Sequence, residues 1–318
     1  MNRKCLYCYK ELAHSNQRDY HDKCSLTFFG SKQAPLLTYS LNEMNELAKN
    51  VVESSITVPG VQPKLSLSLI DETLNNNPRS RLTVVGALGG SYILKPPSEF
   101  HPEMPQNEHV TMQIAEAFGI PTVPSSLIKL NSGELSYITK RIDRTETGDK
   151  IHMLDMFQIL EAVNKYKSSM ESIGKAIASY SDNTLMDQLS FFETSLFSFL
   201  TGNNDMHLKN FSMIQSSAQW ILSPAYDLLN VWIVNPADTE ELALTLEGQK
   251  KKLKREHFER FGARLGLNSK QIEGVFGRYS ENKSKAVELI NKSFLSNEFQ
   301  IKYLNLLEAR YETLELST

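Results

Sequence analysis

The sequence predicts an α+β fold in two lobes, with a small strand-rich N-terminal lobe followed by a larger helical C-terminal lobe. Residues 64–70 alternate apolar and polar side chains, which is the period-two pattern of a half-buried strand. After about residue 150 the apolar residues recur at helical spacing instead. At 318 residues the chain is long enough for two lobes.

The elements of the two lobes follow from the same patterns in chain order. A helix is predicted over residues 34–53, where apolar residues recur every three or four positions. Strands are predicted at 64–70, 82–85, 91–94, 126–130 and 135–141. Between them, residues 108–118 read as a helix that opens on Asn107 and Glu108 and ends at Gly119.

In the second lobe, one apolar stripe predicts a buried helix. It consists of Leu185, Leu189, Phe192, Leu196, Phe199 and Leu200. The predicted domains are a Cys/His module at 1–30, the strand-rich lobe at 31–142 and the helical lobe at 143–318. Lobes of this kind are expected to hold a ligand between them.

Composition and charge restrict the class of protein. Hydrophobic residues make up 41% and charged residues 22%, as in ordinary globular proteins. The net charge of −3 gives no reason to expect direct nucleic-acid binding, and no apolar run approaches the ~20 residues of a membrane helix. Three cysteines, all at or before Cys24, favour a reducing, cytoplasmic location, and secretion into a host cell is left open.

A polar segment directly after the buried helix carries the residues that phosphoryl transfer requires. Asp205 and Asn210 have the Asp-x4-Asn interval of kinase catalytic loops, in which the aspartate acts as base and the asparagine binds magnesium. Asp227 would be a second acidic magnesium ligand, brought beside Asn210 by a short hairpin over residues 210–219. From the spacing alone, a polar turn explains these residues equally well.

Two stretches resemble the signature of HipA-type serine/threonine kinases. They are Asn-Asp-Met-His-Leu-Lys-Asn-Phe-Ser at 204–212 and Pro-Ala-Tyr-Asp-Leu-Leu at 224–229, and the resemblance spans about residues 50–235. It implies a protein-kinase-like fold that uses ATP and Mg²⁺. The catalytic residues it implies are Asp205, His207, Asn210 and Asp227, with Asn210 and Asp227 binding magnesium and His207 supporting the loop.

The same resemblance assigns an ATP-binding set in the first lobe. Its members are Gly60, Gln62 and Lys64 of a phosphate loop, Lys95 bridged to Glu108, and the backbone near Ile138 and Lys140 as partners of adenine. Glu108 is also explained by the helix dipole alone, if it lies at a helix N-terminus. Thr57 occupies the position of the autophosphorylated serine, and Ser55 matches an extra serine of short members. Phosphate there would repel nucleotide.

The first residues form a module of their own. Cys5 and Cys8 are followed by His21 and Cys24, and three thiolates with one imidazole suit a tetrahedral structural zinc site. The alternative is a reduced module whose cysteines pack as small hydrophobic residues.

Partners and rival functions follow from the resemblance to the short HipT-like form, because only about 50 residues precede the phosphate loop. It implies a protein substrate, by family an aminoacyl-tRNA synthetase, together with a small HipS-like protein and a DNA-binding antitoxin. The alternatives are a kinase of a small molecule with the same fold, a nucleotide-binding pseudokinase, and a nucleic-acid-binding module. The last would use the cysteine module and the basic run at 250–255.

Overall fold

The computed structural model describes residues 3–13, 18–53, 64–72, 79–85, 89–98 and 100–316. The chain forms two compact units. Unit 1 comprises Met1–His109, Val123–Asp149 and Lys292–Phe294, and unit 2 comprises Val110–Thr122, Lys150–Asn291 and Leu295–Thr318. The domain boundaries predicted at residues 30 and 142 stay a prediction.

Unit 1 contains a five-stranded antiparallel sheet. Its strands are β1 (Leu65–Glu72), β2 (Arg79–Val85), β3 (Tyr92–Lys95), β4 (Ser125–Lys129) and β5 (Leu135–Lys140), in the order β2-β1-β3-β5-β4. All five predicted strands are present, each within three residues of its predicted ends. The alternation that predicted β1 is confirmed at Leu65 and Leu67, which are buried, whereas Leu69 is exposed.

Helix α1 (Asp22–Phe29) precedes this sheet, and α2 (Leu41–Glu53) follows α1. The predicted start of α2 at residue 34 is wrong, because Ser40 and Glu43 form a capping box that begins the helix at Leu41. Leu36 instead extends along β2, where its amide donates to the Ser80 carbonyl.

Helix α3 (Met104–Ala117) starts four residues before Glu108. Pro105 in its first turn is compatible with a helix start, since that turn lacks intrahelical partners for its amides. The prediction that Asn107 and Glu108 open the helix is therefore wrong, and the helix dipole no longer explains Glu108. The predicted end is confirmed, because Gly119 has a φ of +86° two residues after Ala117.

Unit 2 is mainly helical. Its elements are β6 (Met153–Asp155), α4 (Met156–Ile159), α5 (Met170–Tyr180), α6 (Thr184–Thr201), β7 (Ser212–Ser216), β8 (Gln219–Leu222), α7 (Val231–Val234), α8 (Arg255–Arg264), α9 (Ser269–Lys292) and α10 (Asn297–Thr313). Strands β6, β7 and β8 form a small antiparallel sheet in that order. Among the described residues, none of the helices is both long and apolar enough to span a membrane.

Helix α6 is the buried helix that the apolar stripe predicts. Every residue from Phe191 to Thr201 is buried, so its second half is enclosed on all sides rather than on one stripe. Phe191 and Phe192 both contact Phe261 of α8, with ring centroids 5.8 and 6.2 Å apart. Leu185, by contrast, is 55% exposed in the first turn, so its predicted burial is wrong. The rigid end of α6 leads directly into the polar segment at 203–210.

Candidate active site

The chain leaves α6 through Gly202, which adopts a left-handed conformation with φ of +69°. Its carbonyl accepts hydrogen bonds from the amides of Val231 and Trp232, at 3.1 and 3.2 Å. A Cβ at this position would lie 2.4 Å from a methyl carbon of Leu306. Both the backbone conformation and the lack of space therefore require glycine. The left-handed turn ends α6 before the polar segment begins.

The polar segment closes on itself through side-chain amides. The side-chain oxygen of Asn203 accepts from the amide of Asp205 at 3.3 Å, and Asn210 Nδ2 donates to the Asp205 carbonyl at 3.0 Å. Residues Leu208–Asn210 form a single 3-10 turn. The Asp-x4-Asn interval is thus fixed by a direct bond, and the Asn210 amide oxygen is the atom of that side chain suited to a cation.

Two residues that the sequence did not reveal contact this segment. The Tyr166 hydroxyl donates to Asp205 Oδ1 at 2.8 Å, and its ring lies edge-on to His207 with centroids 5.1 Å apart. Lys165 Nζ lies 2.8 Å from His207 Nε2, and the Lys165 carbonyl accepts from the Leu208 amide. Their separation of about 40 positions along the chain explains why periodicity and motif spacing gave no signal for them.

The environment of His207 favours a neutral imidazole. Burial lowers its pKa, and the charge of Lys165 lowers it further, against opposing effects of Asp205 and Asp227. A lysine can only donate, so Nε2 accepts and the ring proton is on Nδ1. A neutral His207 is suited to orient the loop and Lys165 rather than to carry charge, and its supporting role in the loop stays a prediction.

The Asp227 turn is attached to the same segment. The predicted hairpin is present as β7 and β8. The Tyr226 hydroxyl donates to the Lys209 carbonyl at 3.0 Å and lies 2.5 Å from Ser212 Oγ, while Asn203 Nδ2 donates to the Asp227 carbonyl at 3.5 Å. These bonds hold the two signature stretches together within unit 2.

The donors in this region suit a hard divalent cation. Asp205, Asn210 and Asp227 all offer oxygen atoms, which are the ligands that magnesium prefers. The carboxylates of Asp205 and Asp227 both influence the pKa of His207, so both lie within electrostatic range of one ring. The assignment of Asn210 and Asp227 to magnesium stays a prediction with a compatible donor set.

In unit 1, Lys95 and Glu108 form a buried ion pair. Lys95 Nζ lies 2.5 Å from Glu108 Oε1, and the two residues are 4% and 1% exposed. The lysine also lies over the ring of Tyr137, its cross-strand neighbour on β5, at 5.4 Å from the centroid. The pair is therefore held at the end of β3, although its role toward phosphate stays a prediction.

The residues predicted to contact adenine, Ile138 and Lys140, lie on β5 and take part in sheet contacts. Ile138 lies in the middle of β5 and pairs with Leu94 on one side and Ser126 on the other. The Lys140 amide donates to the Pro124 carbonyl at 3.0 Å. These contacts belong to the sheet, and the hydrogen bonding of adenine to the backbone near Ile138 and Lys140 stays a prediction.

Lys64 is exposed immediately before β1. The other predicted phosphate-loop residues, Ser55, Thr57, Gly60 and Gln62, lie outside the described residues.

The stretch after β5 is held by an arginine pair. Arg141 contacts both oxygens of Asp143, at 2.9 and 2.6 Å, and Arg144 Nη1 contacts Asp143 Oδ2 at 2.6 Å. Burial pushes the pKa of Asp143 upward, but the hydrogen bonds of Arg141 and the charges of both arginines outweigh it and hold that pKa below its usual value. Arg141 also donates to the Gly89 carbonyl at 3.1 Å, which fixes the approach to β3.

Two regions outside this site bear on the rival functions. The ligand atoms of Cys5, Cys8, His21 and Cys24 all lie within 4.8 Å of one another, as the zinc prediction requires. The basic run at 250–255 is engaged within the protein, since Lys250 pairs with Glu240 and Arg255 with Glu273. Leu253 within the run is buried. These pairs reduce the charge that the run offers to nucleic acid.

Comparison with known sequences finds one family model and several proteins named as kinases. The sequence profile of the HipA-like C-terminal domain matches residues 56–287. A putative kinase of Haemophilus influenzae is 26% identical over 291 residues, and the match covers 82% of each chain. The serine/threonine-protein kinase toxin HipA of Shewanella oneidensis is 23% identical over 214 residues, which are 61% of this chain and 47% of that protein.

Solved structures show the same likeness. The complex of Shewanella oneidensis HipA, HipB and operator DNA includes a chain that matches with a TM-score of 0.66 and 21% identity, over 82% of this chain and 65% of that one. The Helicobacter pylori proinflammatory kinase CtkA matches with a TM-score of 0.53 and 15% identity, over 79% and 93%. The predicted α+β fold of the HipA-type kinases is thereby confirmed. This chain spans less than two thirds of the Shewanella chain.

Proposed function

Because this chain belongs to the family of HipA-like C-terminal domain proteins, we propose that it is an ATP-dependent serine/threonine protein kinase. The names of its relatives support kinase activity in general. The observation that carries the proposal is the linkage within unit 2, where Asn210 closes on Asp205 and Tyr226 attaches the Asp227 turn to the same loop. This linkage supports the kinase interpretation because it brings the residues of both motifs into one polar loop region.

In the proposed reaction, Asp205 accepts the proton of the attacking serine hydroxyl as that oxygen bonds to the γ-phosphorus of ATP and ADP leaves. Asn210 and Asp227 would hold Mg²⁺, which neutralises charge on the phosphate oxygens when bound. Lys95, oriented by Glu108, would supply positive charge to the phosphates. Tyr166 would fix one oxygen of Asp205 so that the other faces the hydroxyl.

The substrate and partners form the finer part of the proposal. We infer a protein serine as acceptor, with an aminoacyl-tRNA synthetase as the first target to test. The HipA–HipB–DNA complex of the Shewanella relative supports a DNA-binding antitoxin as partner, and a small HipS-like protein is a second candidate. Autophosphorylation is proposed at Ser55 or Thr57. A cytoplasmic location is proposed because none of the three cysteines forms a disulfide.

The decisive experiment compares Asp205→Asn and Asp227→Asn with the wild type and with Asp149→Asn, a change at an exposed loop residue. Each protein is incubated with γ-labelled ATP and cytosolic extract, and labelled proteins are identified by mass spectrometry. Loss of a general base lowers rates by about 10²–10⁴-fold, so Asp205→Asn should lose labelling. Asp227→Asn removes a proposed magnesium ligand and should lose labelling as well. Both variants should keep the wild-type melting temperature.

Full transfer by Asp205→Asn would remove the proposed base. Label that appears in a metabolite and in no protein would replace the protein acceptor with a small molecule. Wild-type protein that binds ATP without any transfer would indicate the pseudokinase alternative.

A further inference from the structure

The Cys/His module brings four soft or borderline metal ligands to one point in unit 1. Cys5, Cys8, His21 and Cys24 have their ligand atoms within 4.8 Å of one another, and all three cysteines are free. They are also the only cysteines of the chain. The proposed kinase reaction uses none of these residues, so their convergence needs a separate explanation.

The spacing of these atoms fits the edges of a metal tetrahedron. His21 Nδ1 lies 3.5 Å from Cys8 Sγ and 3.7 Å from Cys24 Sγ. Zinc–sulfur bonds of about 2.3 Å and zinc–nitrogen bonds of about 2.0–2.1 Å at the tetrahedral angle place sulfur and nitrogen about 3.5 Å apart. One imidazole nitrogen cannot accept a strong hydrogen bond from two thiols at once, but it can share a metal with both.

The second nitrogen of His21 fixes which tautomer is present. Nε2 lies 3.0 Å from the carbonyl oxygen of Glu11. A carbonyl can only accept, so the ring proton is on Nε2 and the lone pair of Nδ1 faces the thiols. A backbone carbonyl that holds the outer nitrogen of a ligating histidine is the usual support of a metal site.

We propose that Cys5, Cys8, His21 and Cys24 bind one Zn²⁺ as a closed structural site. Three thiolates and an imidazole complete four-coordination, so the metal would have a structural rather than a catalytic role. Binding replaces each thiol S–H bond with a Zn–S bond and releases the proton to solvent. Oxygen-preferring cations such as magnesium do not suit this donor set.

The module is joined to the edge of the five-stranded sheet. Leu6, between the first two ligands, offers its carbonyl to the Leu127 amide of β4 at 3.3 Å. The Tyr20 hydroxyl, next to the ligand His21, donates to the Leu127 carbonyl at 2.5 Å. Because β4 is an edge strand, the module covers backbone that would otherwise pair with solvent or another chain.

The module also packs on the strand that carries Lys95. Cys24 lies in α1, and the same helix ends with Phe28 and Phe29, whose rings lie 5.9 and 6.2 Å from the ring of Tyr92. Tyr92 is the first residue of β3, and Lys95 is the last. Zinc loss should therefore loosen α1 and lower the stability of the sheet, in addition to that of the module.

The experiment uses the full chain purified under reducing conditions. We expect about one zinc per chain by elemental mass spectrometry, as for other closed four-ligand sites. Since every cysteine belongs to the site, a thiol reagent reports on the site alone. Its reaction should be slow with zinc bound and at least tenfold faster after chelation, and chelation should lower the melting temperature.

Variants separate the site from general effects of mutation. Cys24→Ser and His21→Asn should bind zinc at least tenfold more weakly, whereas His152→Asn, at an exposed histidine, should bind it like the wild type. If the variants fail to fold, Co²⁺ added to the chelator-treated wild type provides a second measurement. Co²⁺ in a tetrahedral site with three thiolates absorbs visible light intensely, and this absorption should disappear when zinc displaces the cobalt.

Substoichiometric zinc after reconstitution, together with thiol reactivity that zinc does not change, would refute the site. The same result follows if Co²⁺ gives only the weak spectrum of the aqueous ion. Metal content and thiol protection do not depend on phosphate transfer, so this inference and the proposed kinase function can fail separately.

Discussion

The hydroxyl of Tyr166 donates a 2.8 Å hydrogen bond to Oδ1 of Asp205. Burial, followed by the hydrogen bond and the negative charge of Asp205, raises the pKa of Tyr166 well above its usual value, so the phenol stays protonated and remains a donor. The bond restricts the rotation of the carboxylate, and in the proposed reaction the second oxygen would face the incoming hydroxyl.

We therefore predict that Tyr166→Phe lowers kcat by about 10- to 100-fold, because a hydrogen bond to a charged group contributes about 1.5–3 kcal/mol. The KM for ATP should stay within about twofold, since the ring and its contact with His207 remain. Steady-state kinetics on the phosphorylated protein substrate gives both constants. Tyr180→Phe, at an exposed tyrosine, is the matched control. An unchanged kcat in Tyr166→Phe would leave the bond without a catalytic role.

A second prediction concerns the buried pair of Lys95 and Glu108. Lys95→Met leaves a buried carboxylate without its cation and should lower the free energy of unfolding by about 3–5 kcal/mol. Replacing both residues, as Lys95→Met with Glu108→Leu, should restore most of that stability because no buried charge remains. Urea unfolding of Lys95→Met, Glu108→Leu and the double variant measures the interaction free energy between the two residues.

The double variant also separates stability from function. It should bind ATP at least tenfold more weakly than the wild type despite its recovered stability. If it binds and turns over ATP normally, Lys95 acts only in folding, and the proposed contact with phosphate is wrong.

The third prediction concerns Gly202. Its φ is positive, and an added Cβ would lie 2.4 Å from Leu306, whereas Gly119 has a positive φ with open space around the same position. Gly119→Ala should cost about 1 kcal/mol from backbone strain alone. Gly202→Ala should cost about 1–3 kcal/mol more, because Leu306 must shift in a packed interior. Thermal and urea unfolding of the two variants give the difference, and equal losses would mean that Leu306 moves without penalty.

The fourth prediction is a pH dependence at Asp143. Its pKa is lowered in the folded protein, so the unfolded chain takes up the proton first on acidification. The stabilisation is fully present above the unfolded value of about 3.9 and is lost as pH falls through the lower folded value. Asp143→Asn should therefore cost about 1 kcal/mol at pH 6 to 7, a difference that shrinks at lower pH. Unfolding of both proteins between pH 3 and 7 tests the sign, and a difference that grows on acidification would contradict it.

Sequence periodicity was sufficient for the strands and for α6, since alternation and helical spacing directly report which face is buried. The predicted start of α2 is wrong because the apolar residues from Leu36 onward already follow helical spacing. The helix begins only after Ser40, whose side chain caps it. The cluster of cysteines and His21 could be predicted from the sequence because possible metal ligands recur at characteristic spacings. The contacts of Lys165 and Tyr166 were not, since they join side chains about 40 positions apart in the chain.

Asp227 has a backbone φ of +60°, a conformation that glycine, asparagine and aspartate accept more readily than other residues. Glutamate would keep the carboxylate but is less suited to this backbone. Asparagine and glycine would keep the backbone but lose the charge. A single nucleotide change converts an aspartate codon into either one. If Asp227 acts as proposed, this codon offers short mutational routes that would remove the carboxylate while keeping the backbone conformation of the turn.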